Sequence, residues 1–258
     1  MKVRGLKPHR VGPAPTLGQV LHRAWGRAAV LATALCLAAA GVMQAAPAAL
    51  AVSPALDAVV TTETRVVTAA GVMRTEVWQE KVVRRGDTVW TERILPPQAR
   101  DAHRHESRQE HAGHKHFDAE AAARWVQLDA KGQTVLRFVD RAHRMVVSVP
   151  KSEYEAVGFD GRFDAAAHIV PPSVIERMPV LASASRDASA VWHVEKNGEW
   201  SHRVLWSTQK QVALRIESER LDGGFRRVVT VEPVAPAGAL PWDGLATYVQ
   251  KEYDDFMD

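Results

Sequence analysis

One cysteine is all that this 258-residue chain contains, and Cys36 lies in an apolar N-terminal run. The rest of the chain can therefore build no disulfide, thiol nucleophile or thiolate metal site. Acidic residues are missing from the first fifty-one positions, which hold six Lys or Arg (Lys2, Arg4, Lys7, Arg10, Arg23, Arg27). Also absent are a Gly-x-Ser-x-Gly elbow, a His-Glu-x-x-His pair, and a Gly-rich loop between a strand and a helix. These absences remove the usual signatures of serine hydrolases, zinc hydrolases and phosphate cradles. No catalytic residue is expected, and no cofactor is required.

A basic start, an apolar run from Ala28 to Met43 and small residues ending at Ala49-Leu50-Ala51 have the order of a secretory signal peptide. Gln44 and Pro47 interrupt the run before it reaches the roughly 20 residues a membrane span needs. The expectation is export with cleavage near Ala51, leaving 52–258 as a single periplasmic β-rich domain. Without the leader, 27 basic side chains face 30 acidic ones, so the remainder is mildly acidic. Nucleic acid is thus an unexpected partner. The membrane would be reached only through a partner or an uncleaved signal.

What is present is mostly strand. Runs rich in Val and Thr cover Ala58 to Ala69, Val72 to Val83 and Thr88 to Leu95, separated by turn residues. The Arg85-Gly86-Asp87 triplet between the second and third runs reads as a tight turn, not an adhesion motif. Further strands are expected at Arg124–Leu128, Gln133–Val139 and Arg144–Val149. Four more follow at Val191–Lys196, Glu199–Trp206, Gln211–Leu221 and Phe225–Val231, with Asn197-Gly198 as the strongest hairpin signal. In the third of these, Val212, Leu214 and Ile216 alternate with Arg215 and Glu217. The stretch from Lys151 to Ser189 looks irregular, with one or two helical turns at Ser173–Met178 and another short helix at Asp118–Ala123. At the C-terminus, Trp242, Leu245, Val249 and Phe256 recur at helical spacing, predicting a helix over 242–257.

Two features carry candidate chemistry. Five of the eleven histidines, His103, His105, His111, His114 and His116, fall in one polar loop spanning 96–118. Imidazole ligates zinc, copper and nickel, so reversible binding of Zn, Cu or Ni is one expectation and a solvated insertion the other. Basic and acidic side chains balance there, so its net charge follows histidine protonation near pH ~6.5. The second feature is tryptophan. Trp78, Trp90, Trp125, Trp192 and Trp206 lie in expected strands, where they either fill a core or line an apolar groove. His193 and His202 flank the Asn197-Gly198 turn and read as polar positions on a sheet face.

The opening hairpin Thr61–Leu95, the run Trp125–Asp140 and the hairpins Val191–Val231 together resemble the LolA-like group of periplasmic proteins. That group includes the lipoprotein carrier LolA and the N-terminal domain of RseB/MucB-type envelope-stress regulators. The resemblance implies a mainly β fold: a strongly curved antiparallel sheet of nine or ten strands, a half-barrel, with a few short helices and the C-terminal helix. It also implies an apolar groove for a lipid, lipoprotein or peptide. Two functions follow: a non-catalytic periplasmic binding or regulatory protein whose partner is an apolar ligand or an envelope protein, and a metal-binding or metal-sensing protein built on the histidine loop.

Overall fold

The computed structural model describes residues 53–96, 119, 121–182, 185 and 187–256. The leader and the five-histidine stretch lie outside the described residues. Strands occupy Leu56–Val67 (β1), Met73–Arg85 (β2), Thr88–Arg93 (β3), Ala123–Leu128 (β4), Thr134–Asp140 (β5) and Met145–Val149 (β6). After a helical interlude come Ala190–Asn197 (β7), Trp200–Ser207 (β8), Val212–Arg220 (β9), Phe225–Pro233 (β10) and Val249–Glu252 (β11). All eleven join one sheet in the order β11-β6-β5-β4-β3-β2-β1-β10-β9-β8-β7. Two meanders thus meet where β1 pairs with β10, and only β11 on β6 is parallel. The fold is mainly β, as the sequence predicts, with one strand more than the upper expectation.

The tight turns fall where the sequence marks them. Gly86 adopts a positive φ of 53° between β2 and β3, and Gly198 one of 58° between β7 and β8. Glycine takes such angles without the steric cost a Cβ would bring. The Arg-Gly-Asp triplet is therefore a hairpin turn.

Between β6 and β7 the chain makes two short helices, Phe163–His168 (α1) and Pro172–Ile175 (α2). The first lies in a stretch read as irregular; the second overlaps the helical turns expected at Ser173. This segment crosses one face of the sheet to the far edge, where Leu181 N–H donates to Trp192 O (2.8 Å) and Val194 N–H to Pro179 O (2.9 Å). A flat sheet would separate β6 from β7 by roughly 43 Å at ~4.8 Å per strand. One continuous core nevertheless takes in Val147 of β6, Ala58 of β1, Val204 and Trp206 of β8, and Val174 and Ile175 of α2. The sheet curls around the helical segment, and the helix-bearing side is its inner face.

A smaller cluster lies on the outer face, made of Val83, Trp90, Ala123, Val139, Val146 and Leu245, with Trp242, Leu240 and Tyr248 packed against it. It is sealed by the C-terminal segment, which is not the helix predicted over 242–257. Gly244 takes a left-handed φ of 81°, a 3₁₀ turn covers Leu245–Thr247, and Tyr248 is extended. β11 then pairs with the edge of β6, and a second 3₁₀ turn follows at Tyr253–Phe256. The β6 edge offers backbone partners to a stretch that Gly244 has already diverted, so the helical stripe divides. Trp242 and Leu245 go to the outer cluster, Phe256 packs against the inner core, and Val249 is exposed. The short helix expected at Asp118–Ala123 is also absent from its described part, where Ala121 and Ala122 lie in a turn and Ala123 opens β4.

One cation ties the closed end together. Arg84, fully buried on the inner face, donates to Pro54 O (2.9 Å), Ala167 O (2.6 Å), Gln211 O (3.0 Å) and Lys210 O (2.6 Å). It thereby joins β2 to the N-terminal segment, the end of α1 and the β8–β9 turn. Burial pulls its pKa down to about 10. His168 reinforces the junction, its Nδ1–H donating to Gln211 O (2.5 Å).

Candidate functional site: the open end of the inner face

Paired residues of an antiparallel sheet point to one side, so the register fixes what each face carries. Where the helical segment covers the inner face, the side chains are Ala58, Val82, Leu136, Val147 and their neighbours. Towards the β1–β2 turn the character changes. There a polar row runs across six strands: Glu76, Thr64, Arg227, Ser218, His202 and Glu195, each opposite the next.

Aromatic rings flank that row. Trp78 sits on one side with the Arg93 and Arg227 guanidinium carbons each 5.9 Å from its ring centre. On the other, Phe225 lies 5.9 Å from the Arg227 guanidinium carbon and meets Trp200 edge to face at 5.3 Å. Trp200 in turn stacks on the His202 imidazole at 6.0 Å and 7°. Trp78, Trp200 and Phe225 are only partly buried, whereas Arg227 and His202 between them are buried. Arg227 also donates from Nε to Thr64 Oγ1 (3.0 Å). The result is an aromatic strip over a polar floor, suited to apolar or flat groups through stacking and cation–π contact.

The floor is strained electrostatically. His202 Nδ1 shares a hydrogen bond with Ser218 Oγ (3.0 Å), while its buried Nε2 and the buried Oε2 of Glu195 have no hydrogen-bond partner among the described residues. Burial pushes the His202 imidazole down and the Glu195 carboxyl up, the latter opposed by Arg177. Nearby, burial raises the Glu80 carboxyl against the pull of Arg124, the Trp78 side chain and Arg93. Burial likewise lowers Arg124, with Glu80 opposing. Each neutral form is favoured by desolvation.

A pH dependence follows. His202 and His168 both bind a proton less readily folded than unfolded, so the unfolded chain holds more protons once the pH falls below about 6.5. Their contribution to stability is complete above that pH and is lost as acidification proceeds towards their lower folded values. Glu80 and Glu195 act in the opposite sense, since their raised values favour the folded state as they protonate. The expected result is that His202→Gln flattens the fall in melting temperature between about pH 7.5 and 5.5 relative to the unchanged chain. Parallel curves for the two proteins would remove His202 as a contributor.

The five tryptophans singled out from sequence do not converge. Trp78 lines the open inner face. Trp206 faces inward too but is sealed in the core beside His168, ring centres 6.0 Å apart. Trp90 and Trp125 are directly opposite each other and face outward, Trp90 inside the second cluster and Trp125 under Arg137 (5.0 Å). Trp192 is outward as well, with Arg203 at 4.7 Å. The five therefore cannot line one groove: of them only Trp78 shares the exposed part of the inner face, and its neighbours there are Trp200, Phe225 and Arg227. The signal for the missed residues was present in the alternation Trp200, His202, Val204, Trp206, which places all four on one face of β8. His193 and His202 each face inward but apart, His193 Nδ1–H donating to Met178 O (3.1 Å). His103, His105, His111, His114 and His116 lie outside the described residues. Among the described residues no group of three or more His, Cys, Asp or Glu could hold a metal.

No protein-family model and no curated protein sequence matches the chain. Several solved structures are similar to it in fold at low identity. A LolA superfamily protein from Nitrosomonas europaea is 8% identical, with 72% of this chain and 88% of that one covered and a TM-score of 0.32. An outer-membrane lipoprotein-sorting protein domain from Vibrio parahaemolyticus is 13% identical, with coverages of 72% and 88% and a TM-score of 0.30. PNGF-II is 8% identical at a TM-score of 0.35; 79% of this chain is covered, but it spans only 32% of that longer protein. The class defined by the strands themselves is a half-open, mainly antiparallel sheet curled over a short helical segment. No helix among the described residues is long and apolar enough to cross a membrane.

Proposed function

We propose that this is a non-catalytic, exported binding protein that holds an apolar or amphiphilic ligand, a lipid chain or the apolar part of a lipoprotein or peptide, at the open end of its inner face. The observation that carries this reading is the partly buried strip of Trp78, Phe225 and Trp200 around the Arg227 guanidinium. Isolated exposed apolar residues are ordinary, but here Trp78 and Phe225 both lie against one buried cation and Trp200 extends the strip from Phe225 to His202, the kind of concentration a binding site uses. The basic–apolar–Ala-x-Ala order of the first fifty-one residues supports export to the periplasm.

Titration with a dansylated fatty acid tests it. Saturable, blue-shifted emission is expected from the full chain. Trp200→Ala and Phe225→Ala should each weaken binding about tenfold, the equivalent of ~1.4 kcal/mol for a lost buried contact. Unchanged affinity in both variants would overturn the assignment of the site.

A further inference from the structure

Beyond the ligand strip, the same end of the sheet carries exposed apolar side chains concentrated in two adjoining turns. Val66, Val67, Val72, Met73 and Val77 belong to the β1–β2 hairpin, and Leu221 to the β9–β10 turn. Met73 is 61% exposed, Val77 62% and Leu221 58%. The turns are joined, since Val67 N–H donates to Gly224 O (2.9 Å). Alternation sends Val66 inward and Val67, Met73 and Val77 outward, so this tip is apolar on both sides.

Arginines sit just below it. Arg65 stands directly opposite Arg226 across β1 and β10, and Arg74 directly opposite Val66. Like charges directly opposite each other are unfavourable, and here Glu63 on one side and Glu219 on the other flank the pair. The acids at this level are Glu63, Glu76, Glu219 and Asp222. Glu63 is engaged with Arg65 (3.5 Å) and Asp222 with Arg220 (2.7 Å). Glu219 lies opposite Arg226, and Glu76 opposite Thr64.

We propose that the paired tips dip into the headgroup region of an anionic phospholipid bilayer, with Arg65, Arg74 and Arg226 at the level of the lipid phosphates. A second copy of the chain is a poorer occupant. Six scattered aliphatic side chains make a patch of roughly 300–400 Å², about half of the ~800 Å² per partner in a stable protein interface. A narrow, two-sided apolar wedge instead suits a medium that closes around it without shape complementarity, while basic side chains reach outward to the phosphates. This contact needs neither a partner nor the N-terminal segment, and it adjoins the inner-face strip, Val66 standing directly opposite Phe225.

The test places an environment-sensitive dye on Val72→Cys in the full chain carrying Cys36→Ser, with Lys131→Cys, in the turn at the other end of the sheet, as control. Vesicles of phosphatidylethanolamine and phosphatidylglycerol should blue-shift the dye at position 72 and leave that at 131 unchanged. Local reading keeps any contact made by the N-terminal segment out of the result. Adding Arg65→Gln and Arg226→Gln should raise the lipid concentration needed for half of the shift by about fivefold or more. No shift at position 72, an equal shift at 131, or an equal response to phosphatidylcholine would overturn the proposal. So would a shift that grows with protein concentration in the absence of lipid, which would assign the tip to self-association.

Discussion

Replacing Arg84 with methionine should lower stability by about 4 kcal/mol, at the high end for a single substitution. The guanidinium serves four backbone carbonyls from three separate segments. Methionine fills a comparable volume but strips the donor from Pro54 O, Ala167 O and Lys210 O, while Gln211 O keeps His168, at roughly 1–3 kcal/mol for each carbonyl that cannot relax towards water. A folding unit of about 200 residues then loses about 8–16 °C in melting temperature. Arg84→Lys should rescue less than half of this, because one ammonium cannot reach Pro54 O and Lys210 O from a single position. Urea denaturation of the three proteins decides the matter. A methionine variant within 1 kcal/mol of the original, by about the precision of the method, would show that the junction holds without its cation.

The second large effect is expected at Trp90. Its ring is fully buried in the outer-face cluster, its Nε1–H donates to Glu92 (3.2 Å), and Arg141 covers it at 5.0 Å. Trp90→Ala should cost about 3–5 kcal/mol through lost burial and the cavity left between β3 and the C-terminal segment. Fatty-acid affinity should stay within about twofold of the original, well under the ~1.4 kcal/mol of a tenfold change. Trp78→Ala should do the reverse, weakening the ligand while costing little stability. Two tryptophans equivalent in sequence are thus separated by which side of the sheet they face. Loss of binding in Trp90→Ala with the fold intact would contradict the assignment of faces.

That division explains what the sequence could and could not convey. Strand positions were legible because Val- and Thr-rich runs end at glycine turns such as Gly86 and Gly198, and both signals are local. The face that each strand turns inward was not. A strand buried on both sides, as β3 is at Val89 and Trp90, shows no alternation to read. Only its register against β2 and β4 settles that Val89 looks in and Trp90 looks out. The C-terminal stripe misled for a related reason. Helical spacing of Trp242, Leu245 and Val249 is real, but the unpaired edge of β6 is a distant feature that no local window contains. Arg84 was invisible because its carbonyl partners come from residues 54, 167, 210 and 211.

The meeting of the two meanders at β1 also sets an order of events in time. Among the described residues β1 is the first strand to be synthesised, yet its partner β10 is the last but one, with Val60 waiting for Val231. The first six strands can zip up by neighbour-to-neighbour hairpins while one flank of β1 stays open. High contact order of this kind slows folding, since the loop-closure entropy is spent before the pairing rewards it. During that interval the exposed edge is a template for other chains. A chain of this topology therefore stays open to off-pathway pairing until β10 is made, and any truncation before Phe225 leaves a sheet that can begin but not finish.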